Sequence, residues 1–191
     1  MAKSEKLSEM PARSSKKGAP GQETKMIRKL YKNRVNLSDE QKNQLVEMLN
    51  VRLAEAADAY SQAKFAHWNV KGLNFYQLHL LFDKIAEDLE GQIDEIAERI
   101  TAIGGVANGT IRQAAMGSGL PEYKVDAVSG PDHLRALINM LADYSVALRE
   151  AGEKAADIGD DPTHDFFNQM IIDVEQDMYF LESHLESGES Q

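Results

Sequence analysis

The sequence LHLLFDKIAEDLEGQIDEIAERI, residues 78–100, places an apolar side chain at every third or fourth position. This spacing is the period of an amphipathic α-helix with one buried face. Charged side chains fill the opposite side, which we expect to face solvent. The stretch therefore predicts a long helix packed along one side. The apolar face consists of Leu78, Phe82, Ile85, Ala86, Leu89, Ile93, Ile96 and Ile100.

The same period recurs in three further stretches, which are separated by residues that start or stop helices. Serine before a helix accepts hydrogen bonds from its first turn, and glycine or proline interrupts a helix at its end. Four helices follow from this pattern. The expected boundaries are Ser38 and Val70 for the first helix, Asn74 and Ile103 for the second, Ser129 for the start of the third, and Asp160-Asp161-Pro162 between the third and the fourth.

The connection between the second and third helices is long, covering about residues 106–130, with room for one short helix around residues 111–116. No β-type alternation of apolar and polar residues of any length occurs in the chain. Four amphipathic helices with one long connection are typical of a ferritin-like bundle. The sequence thus predicts an all-α fold, a ferritin-like four-helix bundle with a long crossover that contains a short helix.

Composition excludes several classes of site. The chain has 191 residues and no Cys, which rules out disulfides, thiolate metal sites, iron–sulfur clusters and cysteine nucleophiles. No uncharged stretch reaches the roughly 18–20 residues that a membrane helix needs, and no apolar signal segment is visible at the N-terminus. We therefore expect a cytoplasmic protein with no membrane partner.

Charge divides the chain into two parts. Residues 1–34 hold ten bases and three acids, whereas residues 35–191 hold 11 bases and 28 acids. We expect a basic, mobile N-terminal tail on a helical domain of residues 35–191. Such a tail binds DNA without sequence preference by releasing counterions; alternatively it only solvates the chain, or docks on the acidic body and hides its charge. The candidate DNA-binding residues are Lys3, Lys6, Arg13, Lys16, Lys17 and Lys25.

A strip of ligand-type side chains borders the apolar face of the second helix. His79 and Asp83 are four residues apart, as are Asp94 and Glu98, so each pair is able to hold one metal ion. Imidazole and carboxylate without sulfur suit iron, manganese or zinc. The alternative is ordinary: a histidine packed in the core and acids that are simply solvated. The remaining histidines, His133, His164 and His184, are expected to be surface or packing residues.

The spacing of the two pairs points to a second chain. Their centres lie 15 residues apart, about 22 Å at about 1.5 Å per residue, so one chain cannot close both pairs on one metal. Two copies of the helix packed antiparallel about a twofold axis near Asp88-Leu89 would form two identical sites between subunits. His67, on the inward face of the first helix at its end, could complete each site. The chain has no Glu-x-x-His, which argues against a di-iron or di-manganese site within a single bundle.

The run His67-Trp68-Asn69-Val70-x-Gly72-x-Asn74-Phe75-x-x-Leu78-His79-x-x-x-Asp83, continued by Asp94-x-x-Ala97-Glu98-Arg99, resembles the DNA-binding proteins from starved cells (Dps), the mini-ferritins. The similarity covers about residues 30–186. The resemblance implies a hollow shell of twelve subunits with iron-oxidising centres at its twofold interfaces. The ligands that it implies are His67, His79 and Asp83 from one subunit, with Asp94 and Glu98 from its neighbour.

The function that the resemblance implies is that of a ferroxidase, an enzyme that oxidises Fe(II), usually with hydrogen peroxide, and stores Fe(III) in the shell. Zinc or manganese could take the place of iron. The basic tail would bind and condense DNA in the nucleoid and protect it from oxidative stress. Acidic threefold pores would admit iron. The alternative is a mainly structural nucleoid protein with little ferroxidase activity. The candidate pore residues are Asp160, Asp161 and Asp165.

Overall fold

The computed structural model describes residues 24–186 and contains, within that range, five helices and no strand. The helices are α1 (Asp39–Asn69), α2 (Phe75–Ala102), α3 (Ile111–Gly117), α4 (Gly130–Ile158) and α5 (Asp161–Glu186). The expected all-α, ferritin-like bundle is confirmed, and α3 lies in the crossover where the short helix was expected. No helix in the described range is long and apolar enough to span a membrane.

The four long helices form two tightly packed pairs. Helix α1 packs along α2, and α4 packs along α5, while α1 also contacts α4 and the short α3. The apolar face predicted for α2 forms part of the core, with only Ile93 partly exposed. The largest side chains at the centre are Tyr144, Phe82 and Phe167, all fully buried. Burial of these faces drives the assembly of the bundle.

Local sequence signals define the helix ends. The side chain of Ser38 accepts a hydrogen bond from the backbone N–H of Gln41, whose side chain accepts in turn from the Ser38 N–H. Ser129 caps α4, which has Pro131 in its first turn. The turn between α1 and α2 contains Gly72 at φ 119°, a left-handed conformation that favours glycine. This turn sets His67, near the end of α1, beside the first turns of α2.

Several polar groups inside the bundle are paired within the chain. The Tyr144 hydroxyl donates to Gln92 Oε1 over 3.1 Å. The Arg52 Nε atom lies 2.9 Å from Glu55 Oε2, and the Arg52 guanidinium also donates to a carbonyl of α4. Burial raises the pKa of Glu55 above its ordinary value, against the opposing effect of Arg52. In the part of the chain that the structure describes, the interior has no cluster of three metal-ligating side chains.

Residues 24–37, which we call the strap, run extended along the outside of the bundle. The strap is held through its backbone. Tyr31 N–H donates to Gly104 O over 2.7 Å, Ile27 N–H donates to Asn108 Oδ1 over 2.7 Å, and Gln113 Nε2 donates to the carbonyl of Lys25. A Cβ atom on Gly104, which has φ 95°, would lie 2.5 Å from the Tyr31 carbonyl oxygen.

Leu30 and Leu37 of the strap pack against the core, and the Asn33 side chain hydrogen-bonds to Ala102 and Lys42, but the basic side chains of the strap point to solvent. All five of its basic residues are exposed, although Arg28 approaches Glu47 at 3.2 Å on the surface. The docking considered for the tail therefore occurs in residues 24–37, but it does not hide their charge. The five residues are Lys25, Arg28, Lys29, Lys32 and Arg34.

Candidate metal centre

His67 and His79 face each other across the turn between α1 and α2. Their rings stack with centroids 3.8 Å apart and an interplanar angle of 19°. His67 Nδ1 lies 2.7 Å from the backbone oxygen of His79, and His79 Nδ1 lies 2.8 Å from the backbone oxygen of His67. A carbonyl only accepts hydrogen bonds, so each Nδ1 carries the proton and donates. In the neutral form of each imidazole this leaves Nε2 without a proton, the form in which imidazole binds a metal.

Asp83 lies one turn after His79 on the same side of α2. Its Oδ1 atom is 3.7 Å from His67 Nδ1 and 2.6 Å from the Nζ atom of Lys64 on α1. The hydrogen bond from Lys64 holds the pKa of Asp83 below its ordinary value, so this carboxylate is ionised at neutral pH. The structure thus brings His67, His79 and Asp83 together, with a lysine that the sequence did not point to.

The other two predicted ligands lie elsewhere on the same helix. Asp94 and Glu98 are exposed and lie one turn apart on α2. Asp94 follows Asp83 by 11 residues, which is about 16 Å along a helix. The chain therefore does not bring all five predicted residues together, and no three described metal-ligating side chains form a closed cluster. This division is the one that the helix spacing predicted.

Several exposed apolar side chains lie in the segments that carry the two histidines. Phe75 stacks on His79 with ring centroids 5.2 Å apart, and Trp68 is 67% exposed. An apolar patch of this kind on a water-exposed helix end marks a contact surface. We call it the histidine-end patch. Only Trp68 and Phe75 belong to the motif quoted above. The run of apolar residues at 73–80, where α2 begins, is the sequence signal that could have indicated the others. The patch comprises Trp68, Leu73, Phe75, Tyr76 and Leu80.

Two of the three candidate pore residues are on the surface. Asp161 and Asp165 are exposed in the first turns of α5. Asp160 is buried, with its Oδ2 atom 2.6 Å from Arg99 Nη2, and it also accepts a hydrogen bond from the Thr163 hydroxyl. Its carboxylate joins the end of α2 to the α4–α5 turn, and the pore role of the three residues stays a prediction.

Of the candidate DNA-binding residues, only Lys25 falls within the strap, where it is exposed. The prediction for the others lies outside the described residues. Those residues are Lys3, Lys6, Arg13, Lys16 and Lys17.

Comparison with known proteins decides the family. Residues 46–190 match the family model of the ferritin-like domain. The DNA protection during starvation protein of Agrobacterium fabrum is 32% identical over 158 residues, which cover 83% of this chain and 98% of the relative. The chain belongs to the Dps family. Its membership confirms the resemblance carried by the histidine and carboxylate motif.

Solved Dps structures agree with the fold. The Dps of Mycobacterium smegmatis, in a tetragonal crystal form, superposes with a TM-score of 0.78 at 28% identity, covering 84% of this chain and 97% of that one. The Dps of Vibrio cholerae O1 superposes with a TM-score of 0.75 at 27% identity, covering 80% and 96%. The latter is described as a member of a broad superfamily of ferritin-like diiron-carboxylate proteins. An iron-related role for this Dps family member agrees with a donor set of imidazole and carboxylate.

Proposed function

We propose that this protein is a ferroxidase and iron store, in which two subunits share each centre. The observation that carries the proposal is the reciprocal hydrogen bonding of His67 and His79, which leaves both Nε2 atoms free to bind a metal. Structural histidines are ordinarily satisfied within their own chain. Here the free nitrogens lie beside the histidine-end patch, where a second chain could supply the missing ligands.

The second chain would bring Asp94 and Glu98. In an antiparallel pair of α2 helices crossing near Asp88, the His79 end of one chain meets the Asp94 and Glu98 turns of the other, and the symmetry repeats the contact. Such a dimer would also cover the histidine-end patch. Iron is the substrate of the centre, and zinc and manganese are alternative occupants with the same preference for nitrogen and oxygen donors.

The chemistry follows from the electron count. One hydrogen peroxide takes up two electrons and two protons to become two waters, and two Fe(II) ions supply those electrons by becoming Fe(III). A centre that holds both ions releases no one-electron product such as hydroxyl radical. His67, His79 and the ionised Asp83 would hold Fe(II) at one end of α2, while Asp94 and Glu98 of the neighbour would hold it from the other side.

We extend the proposal to a shell of twelve chains that stores the Fe(III) product. The domain of residues 35–191 carries a net charge of −17, so a shell of such domains attracts Fe(II). Asp161 and Asp165 are the candidates for an acidic entry path, because both are exposed at the start of α5. We place the assembled protein in the cytoplasm, associated with the nucleoid.

Mixed dimers test the shared centre. His79→Asn keeps a side-chain N–H near the position of Nδ1 but removes Nε2, and Glu98→Gln keeps the shape of the side chain but removes its charge. Each variant alone should lose oxidation of Fe(II) by peroxide. Randomly mixed chains should recover about a quarter of the wild-type rate, because half of the dimers are mixed and each has one intact centre.

The control for mixing is Glu90→Gln, an exposed acid on α2 outside the proposed ligand set. Mixed with wild-type chains by the same unfolding and refolding, it should keep the full rate. Gel filtration should place all samples at the size of the same assembly. Failure of the His79→Asn and Glu98→Gln mixture to recover any activity would mean that the centre is not shared.

We also propose that the protein binds DNA without sequence preference, mainly through the strap. The strap has five bases and no acid, whereas residues 1–23 have five bases against three acids. Because the strap is anchored through its backbone, these five charges lie at fixed positions on the surface. Repeated on twelve subunits, they would make binding multivalent and sensitive to salt.

Two variants separate the strap from the residues before it. One replaces the five strap bases by Gln, and the other deletes residues 1–23, leaving the hydrogen bonds of the strap intact. Gel shifts across a salt series should show the larger loss for the Gln variant, with a slope smaller by about 0.9 for each phosphate contact removed. Equal binding by that variant and the wild type would contradict the proposal.

The same measurements decide between this proposal and its alternative, a mainly structural nucleoid protein. The exposed strap favours DNA binding whether or not the centre oxidises iron. If the strap variant loses DNA binding and the wild-type protein oxidises Fe(II) no faster than buffer does, the structural function is the better description.

A further inference from the structure

Tyr123 and His133 form a hydrogen-bonded pair that the proposed centre does not use. Tyr123 lies in the crossover, and His133 lies in the first turn of α4. The Tyr123 hydroxyl oxygen is 2.7 Å from His133 Nδ1, and the two rings lie with centroids 6.0 Å apart. His133 is fully buried, and its Nε2 atom has no hydrogen-bond partner among the described residues. A buried polar atom left unpaired is uncommon and calls for an explanation.

The chemistry of the pair fixes where the proton lies. A phenol is the stronger donor and an unprotonated imidazole nitrogen the stronger acceptor, so we assign Tyr123 as the donor to His133 Nδ1. Burial lowers the pKa of His133 and raises the pKa of Tyr123, so both groups are neutral at pH 7. Tyr123 is therefore a neutral phenol whose hydroxyl proton is already hydrogen-bonded to a base.

Two aromatic rings link this pair to the segments that carry the proposed ligands. The ring centroid of Phe65 is 5.1 Å from that of Tyr123, and Phe65 is two residues before His67. The ring centroid of Phe82 is 6.3 Å from that of His133, and Phe82 directly precedes Asp83. The pair therefore packs against the same segments of α1 and α2 that carry His67 and Asp83.

We propose that Tyr123 donates one electron to the peroxide reaction at the ferroxidase centre, with His133 accepting its proton. The inference rests on the proposed function and concerns a centre that holds a single Fe(II). Peroxide requires two electrons, and one Fe(II) supplies only one. Without a second donor, the product of that encounter is hydroxyl radical.

The step balances in atoms and charge. The O–H bond of Tyr123 breaks, its proton moves to His133 Nδ1, and its electron joins the electron from Fe(II). Together with two protons from solvent, these electrons break the O–O bond of hydrogen peroxide and yield two waters. The products left on the protein side are Fe(III), a neutral tyrosyl radical at Tyr123 and an imidazolium at His133.

Tyr123 is also accessible from outside. It lines an open cavity of about 250 Å³ together with Gln62, Lys124, Arg135 and Met140. A small one-electron reductant of the ascorbate class could enter this cavity and reduce the radical, while His133 returns the proton to the phenol oxygen. The pair would then be ready for another encounter.

The test uses the assembled full-length protein with one Fe(II) per centre, mixed anaerobically with one equivalent of hydrogen peroxide and frozen. The wild type should show the electron paramagnetic resonance signal of a tyrosyl radical. Tyr123→Phe should lose this signal and release more spin-trapped hydroxyl radical. His133→Gln keeps a hydrogen-bond acceptor but loses the base, and should lower the radical yield at least tenfold.

Tyr144→Phe is the matched control. Tyr144 is also buried and hydrogen-bonded, but its partner is the Gln92 amide oxygen, which is not a base. This variant should keep the wild-type signal. If His133→Gln does not assemble, the comparison of the two tyrosine variants still decides.

The outcomes separate the inference from the proposed function. If iron is oxidised by peroxide but no tyrosyl signal appears, or if Tyr123→Phe keeps the full signal, the electron-donor role is overturned. If wild-type protein oxidises Fe(II) with peroxide no faster than buffer does, the proposed ferroxidase function fails, and this inference fails with it.

Discussion

The interior of the bundle and the histidine end of α1 and α2 differ in how far their polar groups are hydrogen-bonded within the chain. In the interior, Tyr144 donates to Gln92, and Arg52 pairs with Glu55, so each group finds its partner inside the chain. At the histidine end, the backbone satisfies one nitrogen of each imidazole and leaves the other free, while apolar rings remain exposed. These interior groups are paired within one chain, whereas at the histidine end two imidazole nitrogens and several apolar side chains lack such partners, as the proposed subunit contact requires.

This contrast separates stability from chemistry. Substitutions in the interior away from Tyr123 and His133 should lower the free energy of unfolding and leave the reaction of an assembled particle unchanged. Substitutions at the histidine end that keep the hydrogen bonds to the backbone should abolish the reaction at little cost in stability. Each prediction below tests one side of that division.

The largest effect is expected from replacing both histidines by Asn. The His67→Asn, His79→Asn variant keeps side-chain N–H donors near the two backbone oxygens but has no imidazole Nε2. Since loss of outer-shell support alone costs about 10–100-fold, loss of both nitrogen ligands should slow oxidation of Fe(II) by peroxide at least about 100-fold. The absorbance of Fe(III) in stopped flow measures the rate, and thermal unfolding should change little. A rate near that of the wild type would remove the histidines from the centre.

The interior counterpart is Phe167→Ala. Phe167 is fully buried on α5, and truncating a buried phenylalanine costs about 3–5 kcal/mol in the free energy of unfolding. Denaturant unfolding followed by circular dichroism measures this loss. Oxidation of iron per assembled particle should stay at the wild-type rate, as long as gel filtration shows the same size. A large loss of rate in intact particles would contradict the separation of stability from chemistry.

The two regions also differ in how far the sequence revealed them. Helix boundaries lie within one or two residues of those expected, because Ser38 and Ser129 cap helices and glycines end them, and these signals act locally. The separation of His79 from Glu98 along one helix was equally predictable, since rise per residue is fixed. That the two proposed ligand pairs border the same apolar face of α2 followed from periodicity alone.

Contacts between elements could not be read from spacing. Lys64 reaches Asp83 only because α1 and α2 pack at one particular register, and Asp160 is buried only because Arg99 lies opposite the α4–α5 turn. The reciprocal bonds of His67 and His79 depend on the course of the turn at Gly72. The pairing of Tyr123 with His133 joins the crossover to α4, and nothing in either local sequence indicates it.

The strap provides a third case, complete in one chain but held by few contacts. In Gly104→Ala, the new Cβ would lie 2.5 Å from the Tyr31 carbonyl oxygen, and the backbone would keep a left-handed φ that alanine disfavours. Because detachment of the strap relieves this strain, we expect the strap to be bound about 1–3 kcal/mol less tightly in this variant. Trypsin should then cut at the strap bases at least about tenfold faster, as measured by mass spectrometry. Gly109→Ala is the control, since its new Cβ would lie 3.6 Å from the nearest atom, and trypsin should cut it at the wild-type rate. Equal protection of both variants would show that the strap does not depend on Gly104.

The smallest effect concerns His133, a buried side chain whose protonation depends on pH. Burial holds the pKa of His133 below its ordinary value of 6.5, so the folded protein keeps this side chain neutral where the unfolded chain takes up a proton. The stabilisation from a neutral His133 is therefore present above about pH 6.5 and is lost as the pH falls below it, with a slope of at most about 1.4 kcal/mol per pH unit. His133→Gln has no such proton uptake.

The difference in the free energy of unfolding between wild type and His133→Gln should therefore shrink between pH 7.5 and pH 5.5. Glu55 and Asp177, whose pKa values burial raises, change stability in the opposite sense, but they are present in both proteins and cancel in the difference. Urea unfolding of both proteins across this range makes the measurement. A difference that stays constant with pH would mean that His133 takes up a proton as readily in the folded protein as in the unfolded chain, and the burial that separates this interior histidine from the pair at the histidine end would then have no energetic consequence.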